Sequence, residues 1–201
     1  MAVMLSAASS LAWIAGVLGR EGDITELIAA AESFASAPSD VASAPIVLPY
    51  LSGERTPHTD AEATATFAGL RAGHGADALV FAVMEGVAFS FADGVDVLDA
   101  VGARPIRPLL VGGGARSEFW AQMIADVTGL TIDLASGAEA GAALGAARLG
   151  MLAAGAGSVE AVCPRPPVQR EFQPDPSRTA AYAPRLKRYR ALYQTEKGAR
   201  L

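Results

Sequence analysis

The residues whose spacing carries the most chemistry run Leu109-Leu110-Val111-Gly112-Gly113-Gly114-Ala115-Arg116-Ser117-Glu118-Phe119-Trp120. Three aliphatic residues lead into three glycines, and a helix-forming segment follows. This is the pattern of a buried strand that ends in a tight turn at a helix N-terminus. Glycine lets the backbone approach a ligand without a clashing Cβ. A helix N-terminus offers unpaired N–H groups to an anion. The turn therefore points to phosphate or nucleotide binding, and Gly112, Gly113, Gly114, Ala115, Ser117 and Glu118 are the candidate contacts.

Three readings of the turn compete. One is a dinucleotide fold: Gly112 to Ser117 nearly matches G-x-G-x-x-G, with Ser117 in place of the third glycine. Asp133 lies nineteen residues after Gly114, where a ribose-binding acid belongs. That fold needs at least three parallel strands, and no strand pattern follows Leu134. A P-loop is excluded, because no Gly-Lys-Ser/Thr follows the glycines. The third is a structural turn with no ligand.

The elements that must position this turn follow from periodicity. The sequence predicts helices over Ser9–Leu18, Thr25–Ala35 with Asp23 as N-cap, Ala76–Ala100, Ser117–Thr128, Glu139–Ala154 and Arg178–Thr195. It predicts strands over Arg107–Val111 and Leu130–Leu134, with a short extended segment at Ile46–Leu51 interrupted by Pro49. Ala37–Ala44 reads as a linker and Ser52–Leu70 as a long polar loop. The helix from Glu139 is thinned by Gly141, Gly145 and Gly150, which costs roughly 1 kcal/mol per glycine against alanine. Close packing inside the domain is the expected reason. Arg185 to Arg190 reads as a solvated helix face.

Bulk composition sets limits. A chain of 201 residues, 51% hydrophobic, can bury one sizeable core. The net charge of −5, with no basic stripe, argues against nucleic acid. Cys163 is the single cysteine, so an internal disulfide is excluded and a reducing cytoplasmic setting is expected. Met1–Leu18 is apolar but mixed, interrupted by Ser9-Ser10 and Gly16, and too short to span a membrane. No cluster of metal-ligating residues stands out.

Three blocks, the glycine turn among them, carry a family resemblance. Leu48-Pro49-Tyr50-Leu51-Ser52-Gly53-Glu54-Arg55-Thr56-Pro57-His58 resembles a block of the xylulokinases, within the FGGY carbohydrate kinases. Phe67-Ala68-Gly69-Leu70, followed by Ala82-Val83-Met84-Glu85-Gly86-Val87-Ala88-Phe89, resembles the family's second signature, departing from it at Ala78. The glycine turn with Trp120, then Gly145-Ala146-Ala147, completes the series in family order. Ordered blocks spread along the chain are far more specific than one glycine turn.

The resemblance implies an α/β, helix-rich, actin-like and ribonuclease H-like ATPase second domain over 1–160, followed by a Pro-rich connector and C-terminal helix over 161–201. It implies ATP, with Mg²⁺, as the phosphoryl donor, and an alcohol group of a pentulose as acceptor. Gly113, Gly114 and Ala115 line the nucleotide on this reading. Glu118 replaces a neutral amide found in relatives. Glu54, Arg55 and His58 form a loop that faces the cleft between the two domains. The catalytic Asp, the sugar pocket and two phosphate turns of the family have no counterpart here. The chain is thus expected to be a C-terminal part, truncated at its start, with no catalytic residue, sugar contact only through the missing domain, and self-association through an open sheet edge. The rival class is a non-catalytic nucleotide-binding or scaffold module.

Overall fold

A computed structural model of the chain describes residues 1–137 and 141–200. The fold is organised around one helix, α4 (Ala76–Ala100), whose start and end coincide with the sequence reading. By length and composition α4 is apolar enough to cross a membrane, but it is mostly buried inside the protein. Val80, Phe81, Val83, Met84, Val87 and Phe89 are almost fully buried, and both faces of the helix are covered. Helices α1 (Ala8–Val17) and α2 (Ile24–Phe34) pack on it as a pair, and α5 (Glu118–Thr128) packs on another side.

The strand β1 (Ile46–Leu48) crosses α4 and is buried at every position. Gly86 makes this crossing close: a Cβ there would lie 2.5 Å from the carbonyl oxygen of Val47. The polar stretch after β1 is not all loop. It holds β2 (Thr66–Ala68), antiparallel to β1 with Ile46 opposite Ala68. Three residues are too few to display a period of two, so the sequence hid this strand. The predicted linker before β1 contains a short helix, α3 (Pro38–Ser43). Pro38 at its first turn is a helix-start signal that the linker reading passed over.

A second sheet has the order β3-β4-β5. β3 (Leu109–Leu110) and β4 (Ile132–Ala135) are parallel, with Leu109 opposite Asp133. β5 (Val168–Phe172) runs antiparallel to β4, with Ile132 opposite Phe172. The two-strand expectation is therefore corrected by β5, which sits between prolines that mask it and is exposed except at Phe172. No third parallel strand adjoins β3 or β4 among the described residues, so the dinucleotide architecture is absent there.

Two helices depart from expectation. Glu139 lies outside the described residues, and α6 (Gly141–Ala153) buries none of its own. Of its three glycines, Gly141 packs closely, since a Cβ there would lie 3.1 Å from the Val111 side chain, while positions 145 and 150 face open space, so the predicted packing is seen only at the start of the helix. Its neighbour in space is the short α7 (Val159–Val162). The last helix, α8 (Pro176–Ala199), is capped by Asp175, whose carboxylate accepts from the N–H groups of Ser177 and Arg178. It is not a purely solvated basic face. Tyr182, Arg185, Tyr189 and Tyr193 form a buried stripe at helical spacing. Arg185 reaches the Glu85 carboxylate on α4, and both side chains are excluded from water.

Candidate functional site

The glycine turn starts where β3 ends. Gly112 has φ +91° and ψ −174°, a backbone region that only glycine occupies without strain. Residues Gly113–Arg116 then form one tight 3-10 turn, and Ser117 caps α5 by accepting from the N–H of Trp120 at 3.1 Å. Ala115 is buried below the turn against Leu109, Leu110, Leu134 and Ala135. Trp120 fixes the turn from the other side. Its ring lies 3.4 Å from where a Cβ on Gly114 would stand, and its Nε1–H donates to the Met84 carbonyl of α4 at 2.9 Å. Central helix, α5 and turn are thereby one rigid unit. Above Gly112 and Gly113 the space is open.

A cavity of about 590 Å³ adjoins the turn. Gly113, Gly114, Ser117 and Glu118 line it, as expected from the sequence, while Gly112 and Ala115 do not. The opposite wall comes from residues the sequence reading missed. On α2 they are Thr25, Ile28, Ala29 and Glu32, a stripe at i, i+3, i+4 and i+7. On α1 they are Ala8, Leu11 and Ala12. The spacing was visible, but nothing in the sequence said that this stripe would face the glycines. Most of the lining is apolar, and Glu32, Arg116 and Glu118 are its charged members. Glu118 pairs with Arg170 of β5. A largely apolar cavity beside a glycine turn at a helix N-terminus is suited to a flat base attached to an anion.

Asp133 has no part in this cavity. Its carboxylate is buried and held by Arg107 at 2.6 Å and Arg165 at 2.9 Å. The hydrogen bond from Arg107 holds its pKa below the usual carboxylate range. It ties β3 and the Pro-rich connector to β4, and the ribose-binding role considered above is corrected accordingly.

The segment Ser52–Asp60 contributes no residue to the cavity. Glu54 is buried, and its Oε1 accepts from the N–H groups of Arg55 at 2.8 Å and Leu5 at 3.2 Å. Burial pushes its carboxyl pKa up. Thr56 pairs with Val3 through both backbone and side chain. His58 stacks on Tyr193 of α8 with ring centroids 3.5 Å apart, and burial lowers its pKa. A directed chain of hydroxyls runs inward from it. Ser90 donates to the Gly86 carbonyl, so Tyr189 donates to Ser90, Tyr50 to Tyr189, and the Nε2–H of His58 to Tyr50. Asp60 accepts from Tyr193 at 2.8 Å and from Arg200, and these bonds hold its pKa at about 2. Of Glu54, Arg55 and His58, only Arg55 is exposed, and the contact of Glu54 with Arg55 is to its backbone amide.

Comparison with known proteins sets this geometry in context. The chain matches the FGGY family of carbohydrate kinases, C-terminal domain, over residues 2–154. The xylulose kinase of Escherichia coli (strain K12) is 46% identical over 196 residues, which are 96% of this chain and 39% of that protein. A xyloylose kinase from Brucella ovis has a TM-score of 0.81 at 35% identity, covering 99% of this chain and 40% of its own. The xylulose kinase from Rhodospirillum rubrum has a TM-score of 0.77 at 31% identity, covering 96% and 39%. The chain spans about two fifths of the length of these relatives. Its helix-rich α/β arrangement is that of their actin-like ATPase fold. By motif, by fold and by the match over residues 2–154, the chain belongs to the FGGY family of carbohydrate kinases and carries that family's C-terminal domain.

Proposed function

We propose that the chain supplies the ATP-binding part of a xylulokinase-like sugar kinase. The observation that carries this reading is the apolar cavity between α1, α2 and α5, which ends at the glycine turn. The adenosine end of ATP occupies the cavity, and the phosphates run past Gly113 and Gly114 toward the open side. In the assembled kinase, a terminal hydroxyl of D-xylulose attacks the γ-phosphorus, giving ADP and D-xylulose 5-phosphate. Such transfer is governed by positioning and by charge stabilisation. Mg²⁺ would accompany the triphosphate and shield its charge. The base and the sugar pocket lie in the part of the relatives that this chain does not match. Arg55, held outward on a clamped loop, faces that part and helps the two close. The reducing cytoplasm suits the reaction and the single Cys163.

Calorimetric titration of the purified chain tests the reading. ATP and ADP are expected to bind and NAD is not. Binding of neither class favours a scaffold module, and preference for NAD refutes the kinase reading. A coupled ADP-release assay is expected to show no turnover dependent on D-xylulose. Turnover by the pure chain would refute the division of labour.

A further inference from the structure

Among the described residues, two buried side-chain oxygens lack a hydrogen-bond partner, Ser10 Oγ and Glu54 Oε2. The second belongs to a titratable group that is 1% exposed. Its Oε1 accepts from the N–H groups of Leu5 and Arg55, so the two oxygens of one carboxyl are treated unequally. The charges around Glu54 do not neutralise it. Asp93 of α4 is a second carboxylate and is paired with Arg190 of α8. Asp60 exchanges both backbone hydrogen bonds with Glu54, but its carboxylate is taken by Tyr193 and Arg200. His58 is bonded to Tyr50, and Arg55 is exposed. Residues 2–7, which pack against Glu54, bear no charged side chain.

A carboxyl oxygen kept from solvent and from donors is far less costly as part of a neutral acid than of an anion. The N-terminal segment is what closes on this carboxyl. Val3 donates to Thr56 Oγ1 at 2.8 Å and accepts from the Thr56 N–H at 3.0 Å, and Leu5 donates to Glu54 Oε1 at 3.2 Å. A segment held by so few hydrogen bonds opens more readily than the core around α4. It runs directly into α1, whose Ala8 and Leu11 line the cavity beside the glycine turn. We propose that Glu54 is a proton-operated latch: holding its proton, it lets residues 1–7 close over Glu54–Thr56, and on losing it the carboxylate gains water by lifting them off. Opening returns the carboxyl to its ordinary pKa of 4.5, below the value that burial gives it when closed. The closed form then binds more protons than the open one. Closure is therefore strongest below pH 4.5 and weakens as pH rises toward the closed-state pKa. His58 acts with the opposite sign, because burial lowers its pKa and its protonation opposes the folded form. The root of α1, and with it one wall of the cavity, is thereby tied to pH.

Hydrogen exchange in the intact chain tests the latch. The amides of Val3, Leu5 and Thr56, whose hydrogen bonds close the segment, are followed from about pH 5 to 8 and corrected for the intrinsic pH dependence of exchange. The Val87 amide, in the buried middle of α4, reports global unfolding and separates it from local opening. One proton released on opening raises the opening constant of the three amides about tenfold per pH unit until the closed-state pKa is passed. Glu54→Gln keeps an acceptor for the Leu5 N–H and carries no charge, so its opening constant should not change with pH. A parent profile that is flat, or in which protection grows with pH as His58 alone would dictate, overturns the inference. So does a Glu54→Gln profile as steep as that of the parent. If circular dichroism shows that Glu54→Gln does not fold, the parent profile decides alone, by its sign and by whether the three amides open without Val87.

Discussion

Replacing Arg185 with Met should bring the protein to the edge of unfolding at pH 7 and leave it much less damaged at pH 5. In the parent, the guanidinium donates to both Glu85 oxygens and to the carbonyls of Ala44 and Pro45, all out of water. Burial pushes the Glu85 pKa up, and Arg185 opposes that push. Without Arg185, an ionised carboxylate has no counter-charge in the core. Breaking a buried pair in this way costs about 3–5 kcal/mol, against a typical net stability of about 5–15 kcal/mol. Glu85 escapes part of that cost by holding its proton when folded. The unfolded chain releases the proton above the ordinary pKa of 4.5. The folded form then binds more protons than the unfolded one, so stability falls as pH rises. At about 1.4 kcal/mol per unit, the fall between pH 5 and 7 is up to about 3 kcal/mol. Urea denaturation of Arg185→Met at the two pH values measures it. Glu85→Leu combined with Arg185→Met should recover at least about 2 kcal/mol at pH 7, because no charge is then buried. A loss under about 1 kcal/mol at pH 7, or equal losses at both pH values, would refute the reasoning.

Gly112→Ala should destabilise the chain by about 1–3 kcal/mol through backbone strain alone, since its Cβ meets no atom; an unchanged melting temperature would contradict this. Asp60, with its folded pKa of about 2 below the ordinary 3.8, adds stability that is present above pH 3.8 and lost as pH falls through 2. The difference in melting temperature between the parent and Asp60→Asn should therefore vanish over that window. Arg55→Ala should leave the melting temperature within measurement error, while lowering turnover of the assembled kinase; unchanged turnover would make the loop purely structural. Light scattering of the purified chain should show association that grows with concentration, because Ile106, Val111, Leu149 and Met151 are exposed apolar side chains. A monodisperse monomer at every concentration would refute it.

Much of this protein could be read before folding. The stripe along α4 defines its span, and the glycines announce a turn between a strand and a helix. What stayed hidden depends on partners distant in sequence. β2 and β5 carry too little pattern to be seen alone, and pairing with β1 and β4 makes them strands. Arg185 looks like its neighbours Lys187 and Arg188 until Glu85 is placed opposite it. The cavity wall on α2 shows the same limit. The spacing of Thr25, Ile28, Ala29 and Glu32 marks a helix face, but only the tertiary fold shows that the face meets the glycine turn.

The buried stripe of α8 also bears on how the chain is made. The family match ends at residue 154, yet α8 supplies the counter-charge of Glu85, the hydroxyl that links Tyr50 to Ser90, and the ring beneath His58. The hydrogen bonds among these contacts span 99 to 139 residues of sequence. A nascent chain therefore emerges from the ribosome with α4 carrying an unneutralised carboxylate and the 52–60 segment unclamped until α8 follows. This part of the core locks only once α8 has been made, and a stop codon between the glycine turn and Arg185 would release a product that keeps the turn but lacks the counter-charge of its central helix.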